Sequence, residues 1–211
     1  MRIQILIDNI NSWIIPYAQS LELLIKENFN HYVEIIHKHE DVSSGDILIL
    51  LSCERKFKKL SLNKFNLVVH ESKLPLGKGW SPLTWQILEG SNRIPISLFE
   101  AADEIDSGPI YIQEFIELSG KELLPELKDL QGNFTNKIII KFLENIDKIS
   151  KTEQIGESTF YPRRTKEDSQ LDINKSIKDQ FNLLRVCDNE RYPAFFLLDG
   201  QKYILKIFKE D

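Results

Sequence analysis

Cysteine is scarce in this chain: its 211 residues contain two, Cys53 and Cys187. They lack the paired spacing of a zinc ribbon or a redox motif and read as buried free thiols. Long apolar runs are missing too, since no stretch approaches the roughly 20 residues a membrane helix needs. The first residues, Met1 to Asp8, lead straight into a strand and lack the layout of a signal sequence, so a cytoplasmic location is expected. Basic residues form no stripe. With a formal net charge of −5, the chain lacks the clustered Lys and Arg of a large nucleic-acid footprint, although a few cations could still grip a small phosphorylated ligand. His31, His37 and His39 lie on a polar stretch without matched carboxylates; they read as solvated, and no metal is expected. There is no internal repeat and no low-complexity tract.

What is present suits a globular α/β protein, with 42% hydrophobic and 28% charged residues. Ile3 to Ile7, Tyr32 to Ile36, Asp46 to Leu51 and Phe65 to Val69 read as strands. The near-continuous apolar character of the first and third suits strands covered on both faces. From Trp13, the residues Ile14, Tyr17, Ala18, Leu21, Leu24 and Ile25 recur at helical spacing. This alternation predicts a parallel, doubly wound, Rossmann-like sheet. Ser81, Pro82 and Gly90 punctuate a short helix as cap, first position and end. Ile96 to Phe99 and Ile110 to Gln113 are two more strands around the loop Glu100 to Pro109. A long helix is expected from about Glu122 to Ile149, with a break near Gly132. Lys151 to Ser158 reads as a polar linker, which divides the chain into residues 1–150 and a small C-terminal α+β subdomain, 151–211. The latter contains a helix with Ile177, Phe181 and Leu184 on one face. It ends in a β-hairpin, Ala194 to Leu198 and Lys202 to Phe208, turning at Asp199-Gly200. Too small for much core of its own, it is expected to pack on the first part.

In open α/β sheets ligands sit beyond the carboxyl ends of the strands. Three loops leave such ends: Asp8 to Ser12, Ser52 to Arg55, and His70 to Trp80. A strand-end histidine such as His70 could act as acid, base or donor. It could equally be bonded to backbone, and position alone leaves both readings open.

His70-Glu71-Ser72-Lys73-Leu74-Pro75 resembles the His-x-Ser-Leu-Leu-Pro element of the folate-dependent formyltransferases. Gly79-Trp80-Ser81-Pro82 and Trp85-Gln86-Ile87-Leu88-Glu89-Gly90 are similar to that family's Gly-x-x-Pro and Trp-x-Ile-x-x-Gly segments. Ile96-Ser97-Leu98 matches the strand before its catalytic loop. Ile105-Asp106-Ser107-Gly108-Pro109-Ile110 resembles its Asp-x-Gly-x-Ile signature, and Arg163-Arg164-Thr165-Lys166-Glu167-Asp168 its Arg-Arg-Thr-x-Glu-Asp segment. The resemblance covers most of the chain from Asp46 onward.

It implies transfer of a formyl group from 10-formyltetrahydrofolate to an amine. His70 would polarise the formyl oxygen or accept the amine's proton, and Asp106 would orient it. The family's asparagine two positions before the histidine is here Val68. Asn11 or Asn9, from the first loop, is the expected replacement, Asn11 as a catalytic group and Asn9 toward the acceptor. The pterin would lie against Leu51, Ser52, Cys53, Phe99 and Asp103. Lys73, Lys78, Trp80 and Arg93 are candidates for the acceptor, with the lysines facing a diphosphate and Trp80 stacking on a base or sugar. Trp85 reads as a core anchor, and Arg163 and Arg164 as braces for the linker.

Among the family, the chain most resembles bacterial enzymes that formylate nucleotide-linked amino sugars for surface polysaccharide or flagellar glycans. Its short tail and acidic charge point away from methionyl-tRNA. The competing reading is a catalytically silent, formyltransferase-like binding module. The apolar C-terminal hairpin is a candidate surface for a homodimer.

Overall fold

The computed structural model describes residues 1–210. In chain order the elements are β1 (Arg2–Leu6), α1 (Ile15–Phe29), β2 (Tyr32–Ile36), β3 (Gly45–Leu50), β4 (Asn63–His70), β5 (Lys78–Gly79), α2 (Pro82–Leu88), β6 (Arg93–Glu100), β7 (Ile110–Glu117), α3 (Leu124–Glu144), β8 (Phe160–Tyr161), α4 (Phe181–Val186), β9 (Ala194–Leu198) and β10 (Gln201–Leu205). Six strands form one sheet in the order β2-β1-β3-β4-β6-β7. Its first four strands are parallel.

The other two run antiparallel, β6 against β4 and β7 against β6, so the sheet is parallel over the alternating first half, as expected, and mixed at its far edge. The physical reason lies in the connections. A parallel neighbour needs a crossover, whereas β6 and β7 are joined directly by residues 101–109 without a helix.

Ile3, Ile5, Ile47 and Ile49 are fully buried in the main core beneath α1 and α3, together with Ala18, Leu21, Ile25, Ile138, Ile139 and Phe142. Leu6 and Leu48 point to the opposite face, where Val42 and Phe57 cover them. That two-sided burial explains why these strands carry almost no polar residue.

Helix α3 is continuous through Gly132. The glycine serves packing, because a Cβ there would lie 2.4 Å from the ring of Tyr17 on α1. The helix stops at Glu144, short of Ile149. There the Asn145 side chain turns back to the carbonyl of Lys141 (2.8 Å), a local bond that competes with helix continuation. Ser81 does stand before α2, but with a left-handed backbone (φ 49°) and no side-chain bond to the helix amides.

At the C-terminal end α4 is a helix of six residues. Ile177 precedes it and is 67% exposed, so it shares no buried face with Phe181 and Leu184. The hairpin turns at Asp199 (φ 52°) and Gly200 (φ 79°), the two positive φ values of a type I′ turn. Its second strand ends at Leu205. Leu171, Leu184, Cys187 and Ala194 form a small separate core. This part is tied to the rest by Arg185, which is 1% exposed and donates to Asn92 (2.6 Å) and Glu122 (3.3 Å).

Gly132→Ala tests the α1–α3 packing. Helix propensity alone favours alanine by ~1 kcal/mol, but the added methyl group must displace a ring that is packed between helices. Urea denaturation is expected to show a net loss of about 1–3 kcal/mol; a gain would mean that Tyr17 moves freely.

Candidate active site

Strand β4 outruns its parallel neighbour. Val68 pairs with Leu50, the last residue of β3, so His70 projects two residues past that strand's end. His70 is 8% exposed. Asp106 arrives from the loop between β6 and β7. That loop starts where Glu100 pairs with Leu67, about 10 Å short of His70 along β4. It closes on Gly108, where a Cβ would fall 1.7 Å from the Glu100 carbonyl oxygen. Asp106 itself holds a left-handed backbone (φ 52°), uncommon for a residue with a side chain.

The structure brings His70 and Asp106 together: Nε2 lies 3.6 Å from Oδ2, with both side chains largely buried. That is too long for a hydrogen bond. Each group instead bonds to the turn between them. His70 Nε2 lies 3.0 Å from the carbonyl oxygen of Gly77, and the Gly79 N–H donates to Asp106 Oδ2 at 2.9 Å. A carbonyl only accepts, so Nε2 carries the hydrogen and Nδ1 is left with a lone pair. Gly77 and Gly79 have φ of 69° and 96°. Both are pressed against Tyr161: a Cβ on Gly79 would lie 2.6 Å from its carbonyl oxygen, and one on Gly77 2.9 Å from its ring. The pairing of β5 with β8 holds that contact.

Glu71, which sequence reading passed over, is 7% exposed next to His70. Burial pushes its carboxyl group above the ordinary value, while His70 and a hydrogen bond with Gln131 pull the other way. Nothing in an isolated His-Glu pair announces that the acid faces inward.

The first loop is organised by Asp8. Its carboxylate accepts the amide hydrogens of Glu54 (2.8 Å) and Arg55 (2.9 Å), and His39 Nε2 lies 3.1 Å away. Burial raises the Asp8 pKa, but these donors outweigh it and hold the carboxyl below its usual value. His39 is therefore paired, which corrects the expectation that it is solvated; His37 is exposed, with Nδ1 2.9 Å from the Ile7 carbonyl oxygen. Their partners come from strand ends distant in sequence.

Asn9 Nδ2 donates to Glu54 (2.9 Å) and its Oδ1 accepts the Asn11 amide hydrogen (2.9 Å). Among the described residues the exposed Asn11 side chain makes no hydrogen bond. It forms no hydrogen bond with His70 or Asp106, and its loop leaves β1, two strands away from β4. Asn66 does not substitute for the family asparagine either: its amide group donates to Leu60 and Glu100.

Of the residues expected at the donor, Leu51 is 3% exposed and its N–H is bonded to Leu6. Ser52 is exposed, with a left-handed backbone (φ 49°). The Cys53 thiol donates to the Leu6 carbonyl oxygen (3.3 Å); burial and the Asp8 charge push it up to about 12, so it stays protonated. Phe99 is 1% exposed and paired on both sides, with Val68 and Ile110, which makes it a core residue. Asp103 is exposed, and its carbonyl receives the Lys56 ammonium, tying this loop to the one after β3.

On the acceptor side Lys73 is exposed. Lys78 is 6% exposed, and among the described residues its ammonium group has no hydrogen-bond or ion-pair partner; it lies 5.9 Å from the Phe160 ring centroid. Trp80 is 39% exposed, with the Arg163 guanidinium 4.6 Å from its ring centroid. Trp85 stacks on Tyr161 and donates to the Pro162 carbonyl oxygen, so it anchors the C-terminal segment. Arg93 is engaged by Glu117 and the Phe115 ring. Among the described residues no group of three or more His, Cys, Asp and Glu side chains is placed to hold a metal ion, and no helix is long and apolar enough to cross a membrane.

A histidine with one ring nitrogen unbonded among the described residues, facing a carboxylate at the end of an α/β strand, is an arrangement able to accept and pass on a proton. Comparison with known proteins gives this site relatives. The chain is 31% identical over 164 residues to the methionyl-tRNA formyltransferase of Thermosipho melanesiensis, a match covering 77% of this chain and 53% of that protein. It thus spans about half the length of this relative. Its fold is that of a methionyl-tRNA formyltransferase from Clostridium thermocellum (TM-score 0.81, 22% identity, 100% of this chain and 94% of that one). A 4-N formyltransferase from Francisella tularensis superposes with a TM-score of 0.71 at 18% identity, covering 100% and 98% of the two chains. HypX from Aquifex aeolicus in complex with tetrahydrofolic acid does so at 0.79 and 19%, covering 98% and 37%. No family model matches the chain. By sequence relationship and by fold, the chain belongs with the formyltransferase family.

The buried acid gives a test. The folded-state pKa of Glu71 lies above its ordinary 4.5, so above that pH the folded protein keeps a proton the unfolded chain has released. Its contribution to stability therefore falls as pH rises through that range. Glu71→Gln removes this slope. Its thermal midpoint is expected to exceed that of the parent at about pH 7.5, with the difference shrinking in acid. Parallel pH–stability curves would show that the acid is ionised in the fold.

Proposed function

We propose that this chain transfers the formyl group of 10-formyltetrahydrofolate to the amine of a nucleotide-linked amino sugar, in the cytoplasm and toward surface polysaccharide. Residues 1–150 would form the catalytic part and 151–211 a small accessory subdomain. The observation that carries the reading is the buried approach of His70 to Asp106, 3.6 Å apart. An uncharged amine attacks the formyl carbon and forms a C–N bond. The bond from that carbon to the folate nitrogen breaks, and the attacking nitrogen must shed a proton. With Nε2 bonded to Gly77, the lone pair of His70 Nδ1 is the acceptor, and the imidazolium so formed lies against the Asp106 carboxylate. The same proton can then pass to the departing folate nitrogen.

A phosphorylated acceptor is supported by Lys78, a residue packed beside Gly77 and Gly79 whose ammonium group has no hydrogen-bond or ion-pair partner among the described residues. The formyltransferase relationship and the HypX–tetrahydrofolate complex support the donor. A methionyl-tRNA acceptor is the second reading, favoured by the sequence relatives.

The test is incubation with 10-formyltetrahydrofolate and, separately, UDP- and dTDP-linked amino sugars and methionyl-tRNA, with formylated product read by mass spectrometry. Product is expected with a nucleotide sugar. His70→Ala and Asp106→Asn should each cost about 10²–10⁴-fold in kcat while folate still binds. Folate binding without product from any amine would mark a silent binding module.

A further inference from the structure

The segment between α3 and β8 reads as a linker but is bonded into the acid–base centre. Thr152 forms a two-bond bridge with Ile110, the first residue of β7, each bond 2.8 Å long. Two residues on, the Gln154 amide nitrogen donates to two backbone carbonyls of the catalytic loop, Asp106 at 2.9 Å and Gly108 at 2.8 Å. The opposite amide orientation would set Oε1 against two carbonyl oxygens, so the hydrogen-bond pattern assigns the nitrogen to that side. Oε1 is buried and without a partner. An amide that leaves its own acceptor unsatisfied is held by its two donor bonds.

Those bonds fall at the strained point of the loop. Asp106 has φ 52°, and a left-handed non-glycine residue persists only where its surroundings over-determine it. On one side of Asp106 the loop is fixed by Gly108 against Glu100. At Asp106 itself the backbone contact is Gln154, and the side-chain contacts are Gly79 and His70.

We propose that Gln154 is a positioning residue of the centre. Its amide group holds the Asp106 peptide in the left-handed turn that aims Oδ2 at the Gly79 N–H and at His70. The kinetic consequence rests on the formyl-transfer reading; the structural one does not.

Hydrogen exchange of the Gly79 amide in the full chain separates the two, because that amide donates to Asp106 Oδ2. Gln154→Met keeps the side-chain length and removes both donors. Gln154→Glu keeps the shape and presents only acceptors. In both variants Gly79 is expected to exchange roughly tenfold faster, approaching the rate in Asp106→Ala, while the amides of Ile5 and Ile49 in the core keep their rates. In formyl transfer, kcat should fall about tenfold with both KM values unchanged. Wild-type exchange at Gly79 in both variants overturns the proposal, as does uniform acceleration across the core. Faster exchange at Gly79 alone, in a protein that formylates nothing, upholds the positioning role and sinks the formyl-transfer reading.

Discussion

One three-residue turn holds the His70–Asp106 pair. Gly77 offers its carbonyl group to His70 and Gly79 its amide to Asp106, so the turn spaces the imidazole and the carboxylate and selects the ring tautomer. It can do so only because both glycines hold positive φ values and lie where a side chain would collide with Tyr161. A β-carbon at either position would push the turn off β8 and shift both bonds together. The pair is thus positioned through backbone that it does not itself supply.

The sheet delivers the two groups from different directions. β4 carries His70 past the end of β3, a consequence of strand length alone. Asp106 depends on reversal: β6 runs back along β4, and the loop after it starts beside Leu67 and must return to reach the histidine. A chain forced to travel back over a short span needs tight closures, and both appear, Gly108 against Glu100 and the left-handed Asp106. The strained backbone sits at the residue whose carboxylate approaches His70.

What could be read from the residues alone follows the range of the interactions. The parallel strands, the Asp199-Gly200 turn and the strand-end placement of His70 rest on local pattern, and the structure has all three. The antiparallel direction of β6 and β7 left no such trace, because side-chain alternation looks the same whichever way a strand runs. Gly132 looked like a helix break, since its partner Tyr17 lies on another helix. His39 looked solvated because Asp8 meets it only across the sheet. The loop carrying Asn11, the expected replacement at Val68, leaves β1 with β3 between it and β4, and the Asn11 side chain makes no hydrogen bond to His70 or Asp106. Glu71 and Gln154 had no local signature at all.

The bond to Gly77 narrows what a neutral His70 can do. With its Nε2–H directed at that carbonyl, the neutral ring presents a lone pair at Nδ1, an arrangement suited to accepting a proton there. Donation through Nε2 would require the Gly77 bond to break, and Gly77 is fixed from behind by the Thr159 hydroxyl and the Tyr161 ring. The segment around Thr159 and Tyr161 therefore constrains the proton inventory of a centre whose acid and base lie far earlier in the chain. A boundary drawn at residue 150 marks a change in composition; the hydrogen bonds of Thr152, Gln154 and Thr159 cross it and make both sides parts of one site.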